Sequence, residues 1–150
     1  MNTFKSMAML GLCVLALNGC KKADPNSPSG KRHAAYEAIS KAKKAIDTAF
    51  EGSNPDLTAV SAQVAILKAQ TAVLPSLFPA GTGPGTEQPT EAKAEIWTKP
   101  AEFAKELDGL TTSVATLDAA VTKSDVAAAK TAATELGKTC KSCHTKFKED

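Results

Sequence analysis

From residue 31 onward, apolar positions recur every three or four residues in four blocks, separated by clusters of glycine, proline and polar residues. That spacing marks the buried stripe of an amphipathic helix. The first block, Lys31 to Glu51, aligns Ala35, Tyr36, Ile39, Ala42, Ile46, Ala49 and Phe50, and Gly52 stops it. The second opens at Asn54-Pro55, read as an N-cap followed by proline at the first helical position. It aligns Leu57, Val60, Val64, Leu67, Thr71 and Leu74, with Phe78 just beyond. Pro75 to Pro89 reads as loop, Thr90 to Trp97 as a short helical turn, and Thr98-Lys99-Pro100 as a restart. The third block aligns Phe103, Leu107, Leu110, Val114, Leu117 and Val121. Ser124 or Asp125 caps the fourth, which carries Val126, Ala129, Ala133, Leu136, Cys140, Cys143, His144 and Phe147. Two of the connections are short, which forces antiparallel neighbours. The expected fold is all-α: an antiparallel up-down four-helix bundle.

Composition narrows this further. The 150-residue chain is 43% hydrophobic but only 5% aromatic, and alanine-rich text favours helix. One domain is expected at this length. A formal charge of +2 lacks the basic excess of a nucleic-acid binder.

The first residues read as targeting. Lys5 precedes an apolar run from Ala8 to Leu17, the length of a signal-peptide core and too short to span a membrane. The run ends in Leu17-Asn18-Gly19-Cys20, which resembles a bacterial lipobox with Cys20 as the lipidated residue. The expected organisation is a signal peptide over 1–19, a lipidated flexible tether over 20–30 and the bundle over 31–150. The chain is then exported to the periplasmic side as a membrane-anchored lipoprotein. The alternative is an ordinary cleaved signal peptide and a soluble periplasmic protein.

The chain has four cysteines. Cys13 falls in the signal peptide and Cys20 takes the lipid, so no disulfide framework is left to build. The remaining two stand in Cys140-Lys141-Ser142-Cys143-His144, a C-x-x-C-H motif. Two thiols can add to the vinyl groups of a haem, and the adjacent imidazole can bind its iron. On a helix, Cys140, Cys143, His144 and Phe147 share a face with Leu136 and Ala133. A thioredoxin-like site would sit beside a βαβ pattern, which is missing. A structural zinc site needs four ligands, and only the distant His33 could be the fourth. One covalently bound haem c is therefore expected, with His144 as the axial ligand of iron.

The other face of the iron has few candidates. Met1, Met7 and Met9 all fall in the signal peptide, so the mature chain has no methionine to offer. The iron is either five-coordinate or bound by an uncommon ligand such as His33 or a lysine.

A C-x-x-C-H motif near the end of the fourth helix resembles the cytochrome c′ family. So do Arg32 with Tyr36 four residues on, Leu74-Pro75, Gly83-Pro84-Gly85-Thr86-Glu87, Glu95-Ile96-Trp97 and the run from Gly137 to His144. The resemblance covers Gly30 to the end. It implies that Arg32 pairs with a haem propionate and that Tyr36 covers the distal face in place of a ligand. It also implies that Thr90 and Glu91 lie in the loop passing the haem edge, and that two copies pair through their first two helices. His33 departs from the glutamine frequent at its place, and Lys148 from the arginine frequent at its own.

The leading functional reading is a haem protein with five-coordinate, high-spin iron that binds nitric oxide or carbon monoxide, passes electrons, or does both. The alternative is a dedicated low-spin electron carrier with a sixth ligand such as His33. Its partners are a diatomic gas and a redox protein of unspecified identity. An enzyme is not expected, because a peroxidase needs a distal acid-base residue and His33 is badly placed for it. Lys138, Lys141, Lys146 and Lys148 cluster near the motif. They read either as steering for an acidic partner or as a solvated helix end favoured by the helix dipole.

Overall fold

The computed structural model describes residues 23–86 and 89–149. The expected signal peptide and Cys20 lie outside the described residues. The helices are α1 (Pro28–Glu51), α2 (Leu57–Val73), the single turn α3 (Glu95–Thr98), α4 (Pro100–Thr122) and α5 (Val126–Phe147). A 3₁₀ turn over Leu74–Leu77 extends α2. The four long helices form the expected bundle, with no strand among the described residues.

Caps decide where the helices begin, and two differ from the pattern-based reading. Ser27 caps α1, its Oγ accepting from the Gly30 amide at 3.0 Å. Residues Pro28 to Gly30, assigned to the tether by composition, are therefore the first turn of α1. The chain before them folds back, with the Ser27 amide donating to the Asp24 carbonyl. A Cβ on Gly30 would lie 2.0 Å from that carbonyl oxygen, so only glycine fits there. In α2 the cap is Asp56, not Asn54, and Pro55 lies before it. Asp56 Oδ1 accepts from the amides of Thr58 and Ala59 at 2.9 and 3.2 Å. One carboxylate thus satisfies two orphan donors at the positive end of the helix. Asp125 caps α5 in the same way through Ala128 N at 2.9 Å. Ser124 before it takes the left-handed backbone, φ 57°, that closes the α4–α5 turn.

The core follows the stripes read from the chain, except that Val126, placed on the α5 stripe, is exposed at the start of that helix. Ile46, Leu67, Leu117 and Leu136 are at most 1% exposed. Burying a side chain of this size contributes about 1.5–3 kcal/mol. Thr71, the polar member of the α2 stripe, is buried with its hydroxyl donating to the Leu67 carbonyl at 2.9 Å. Helices α1 and α2, α4 and α5, and α2 and α4 pack along their lengths. The fourth side of the bundle, between α1 and α5, is barely closed.

Outside the core, α2 carries a second apolar seam. Ala59, Ala62, Ile66, Ala69 and Val73 repeat at heptad spacing and all are exposed. Leu57–Leu77 is long and apolar enough to cross a membrane by composition. Its inner face, however, packs in the bundle core.

Candidate haem site

The site begins with the pitch of α5. At 100° per residue, Cys140 and Cys143 fall within about 40° of Leu136, whereas His144 lies about 80° away. Both thiols are accordingly half-buried and unbridged, and His144 stands exposed at the rim rather than facing the interior with Leu136. Gly137, Cys140, His144 and Lys148 line one open depression of about 440 Å³ along α5. Burial pushes the Cys140 thiol above its ordinary pKa, and Lys43 partly offsets this. Burial and the Glu106 charge push Cys143 up to about 11. Partial burial of the ring, then the Lys148 ammonium, hold His144 below the usual imidazole value. That keeps the imidazole neutral, the form that binds a metal.

Helix α1 supplies the opposite wall. Arg32 and Tyr36, one turn apart, both face inward, while His33 between them is exposed on the outside. Tyr36 packs edge-on against Phe78, ring centroids 6.5 Å apart. Its phenol is held well above its usual pKa, by burial first and by the nearby Cys143 second. It is therefore neutral at physiological pH. Arg32 is only 4% exposed. Its Nη1 donates to Leu77 O and Thr82 Oγ1, and its Nη2 to Thr82 O and Thr90 Oγ1, at 2.8–3.4 Å. The guanidinium also lies over Phe78 and Trp97, 5.0 and 5.7 Å from their ring centroids. Among the described residues no carboxylate pairs with it.

The loop residues join these two walls. Thr90 Oγ1 accepts from Arg32 and from the Ala92 amide. The chain from Glu91 to Lys93 is extended, not helical, because it pairs with the end of α5. Ala92 and Lys148 form an antiparallel bridge, Lys93 N donates to Phe147 O, and Glu149 N donates to Glu91 O. The Glu91 carboxylate pairs with Lys148 at 3.0 Å.

The lysine cluster is largely neutralised. Lys138 pairs with Glu135, Lys146 with Glu106 and Lys148 with Glu91, at 2.6–3.0 Å. Sequence reasoning missed Glu106, which also accepts from Ser142 inside the motif at 3.1 Å. It also missed that Phe78, Trp97, Phe103 and Phe147 form one aromatic cluster. Local periodicity put three of these rings on or beside apolar stripes but carried no sign that four segments converge.

The residues fit a haem. Two unbridged thiols and a neutral imidazole lie on one wall, a neutral phenol on the other, and the seam between them is open. Arg32 is a buried cation whose acceptors are all neutral, a setting that suits an anionic propionate. A four-helix bundle with this motif at the end of its last helix defines a class, the four-helix c-type cytochromes. Residues 28–148 match the family described as Cytochrome C′. The chain is 32% identical over 127 residues to the cytochrome c′ of Pararhodospirillum photometricum, spanning 85% of this chain and 100% of that one. Over other curated relatives it spans about half of their length. It superposes on the crystal structure of cytochrome c′ from Rubrivivax gelatinosus with a TM-score of 0.74 at 30% identity, covering 83% of this chain and 98% of that one. A carbon-monoxide-bound variant of cytochrome c′ from Alcaligenes xylosoxidans gives 0.75 at 24% identity, over 87% and 100% of the two chains, a likeness of fold alone. The chain belongs to the cytochrome c′ family, and is a c-type haem protein with one covalently attached haem c.

Proposed function

We propose that Cys140 and Cys143 hold the haem through thioether bonds, that His144 binds its iron, and that Tyr36 occupies the space over the opposite face. The haem supplies an iron that binds neutral diatomic gases and exchanges one electron. The single observation that carries this reading is Tyr36, an inward phenol facing the motif across the open seam and kept protonated by burial. A neutral phenol is a poor ligand for ferrous iron, so Tyr36 crowds the site without closing it. His33 points outward, which disfavours both the six-coordinate carrier and a peroxidase-like acid-base role. Arg32 and Thr90 anchor the loop at the propionate edge, and Glu91 ties that loop to the helix bearing His144.

The test is an absorption spectrum of the ferrous protein with and without carbon monoxide. Wild type is expected to be five-coordinate and high-spin at neutral pH. Tyr36→Ala should leave that spectrum unchanged before gas is added, yet bind carbon monoxide at least about tenfold tighter, or 1.4 kcal/mol. A low-spin ferrous spectrum in wild type, or unchanged gas affinity in the variant, refutes the reading.

Export, and anchoring through Cys20, form part of this proposal. They are supported by the apolar run before Cys20, and mass spectrometry of the membrane fraction for an acylated Cys20 tests them. Pairing of two copies through α1 and α2 is supported by the exposed seam of Ala59, Ala62, Ile66, Ala69 and Val73.

A further inference from the structure

Lys43 lies on the same face of α1 as Tyr36, two turns further on, and looks across the open seam at α5. Its side chain is only 17% exposed, unusual for a lysine. The ammonium is held by both oxygens of Asp47, at 2.5 and 2.6 Å, one turn along the same helix. It lies 3.6 Å from where a Cβ on Gly137 would stand, so the missing side chain leaves room for it. Gly137 is one turn before Cys140 and lines the same depression. Lys43 and Asp47 are the charges felt at the Cys140 sulfur, with opposite signs. The Glu106–Lys146 pair between α4 and α5 bears on Cys143 in a similar way, but there the ammonium is half exposed, whereas the Lys43 ammonium is not.

From this geometry we infer that Lys43 and Asp47 form a potential-setting pair: a fixed cation, positioned and partly balanced by its carboxylate, at the Cys140 edge of the haem. The inference rests on the haem being attached at Cys140. Ferric haem carries one more positive charge than ferrous haem. A nearby ammonium therefore disfavours the ferric state, and a nearby carboxylate favours it. Partial burial between two helices limits screening by salt. Lys43 contributes charge directly, while Asp47 both contributes the opposite charge and positions the ammonium.

The experiment is a spectroelectrochemical titration of the haem-loaded protein, with covalent haem quantified in every sample. At a fixed solution potential, Lys43→Gln should lower the ferrous-to-ferric ratio about threefold, or about 30 mV at 59 mV per tenfold. Asp47→Asn should raise the ratio by a similar factor. The double variant should return close to wild type, and Lys43→Arg should preserve the wild-type ratio. General loosening of α1 would move both single variants the same way. Shifts in one direction, or an unchanged ratio in either single variant, overturn the pairing. Wild-type chain without covalent haem overturns the site itself, a result the haem quantification separates from the first.

Discussion

The α2–α4 seam and the α1–α5 seam of this bundle are made of different materials. Between α2 and α4 stand Val60, Val64, Leu67, Leu110, Val114 and Leu117, all at most 8% exposed. Between α1 and α5 stand Tyr36 and Lys43 on one side and Cys140, Cys143 and His144 on the other, with little helix-to-helix contact. A stripe of branched aliphatics closes by itself, since each side chain fills space left by its neighbours. A stripe of thiols, a phenol and a cation leaves space and brings charge to its edge. Three closed seams hold the helices, so the fourth is available for a prosthetic group.

The sharpest way to break that contrast is to place the same kind of cavity in each seam. Leu117→Ala in the closed seam should cost about 2–5 kcal/mol, measured by denaturant unfolding of the haem-loaded protein. Tyr36→Ala in the open seam should cost clearly less, because Tyr36 is only half-buried, while changing gas affinity. Equal losses would mean that the α1–α5 side is as closed as the other.

A smaller change tests the outer seam of α2. Ile66→Glu with Val73→Glu should convert a dimer to a monomer in sedimentation velocity, with unfolding of the monomer within about 0.5 kcal/mol of wild type, as for surface changes. A dimer surviving both charges would place the contact elsewhere.

The smallest effect is expected at Glu106. The Lys146 ammonium holds its carboxyl below the usual range against the opposing effect of burial, and the Ser142 hydroxyl helps. A carboxyl with a lowered folded value stabilises the fold above its unfolded pKa, about 4.3. That contribution is lost as pH falls through the lower folded value. Glu106→Gln should therefore lower the thermal midpoint slightly at pH 7, and the difference should close in acid. A gap that persists in acid would point to packing rather than charge.

What was legible in the chain was local. The stripes of the four helices, the Asp125 cap and the shared face of Cys140 and Cys143 depend on residues within about two turns of one another, whereas His144, expected on that face, stands at the rim. Errors came where two local signals competed. Asn54-Pro55 imitates a cap, but Asp56 can satisfy two amides. The polar Pro28-Ser29-Gly30 looks like tether, but Ser27 caps it and Gly30 permits the fold-back. Contacts set by the register between helices carried no local mark. Arg32 reaches Thr82 across 50 positions, and Ser142 reaches Glu106 across 36. The Lys43–Asp47 spacing is visible in the chain, but its position over Gly137 is not.

The central claim is that the open seam is the seat of one haem c bound through both thiols. Peptide mapping by mass spectrometry, after acid extraction of the purified protein, tests it most directly. The predicted result is one haem retained on the peptide containing Cys140 and Cys143, both thiols consumed, and no haem on a Cys140→Ala, Cys143→Ala variant. Haem that extracts freely, or a wild-type peptide with both thiols free, would contradict it.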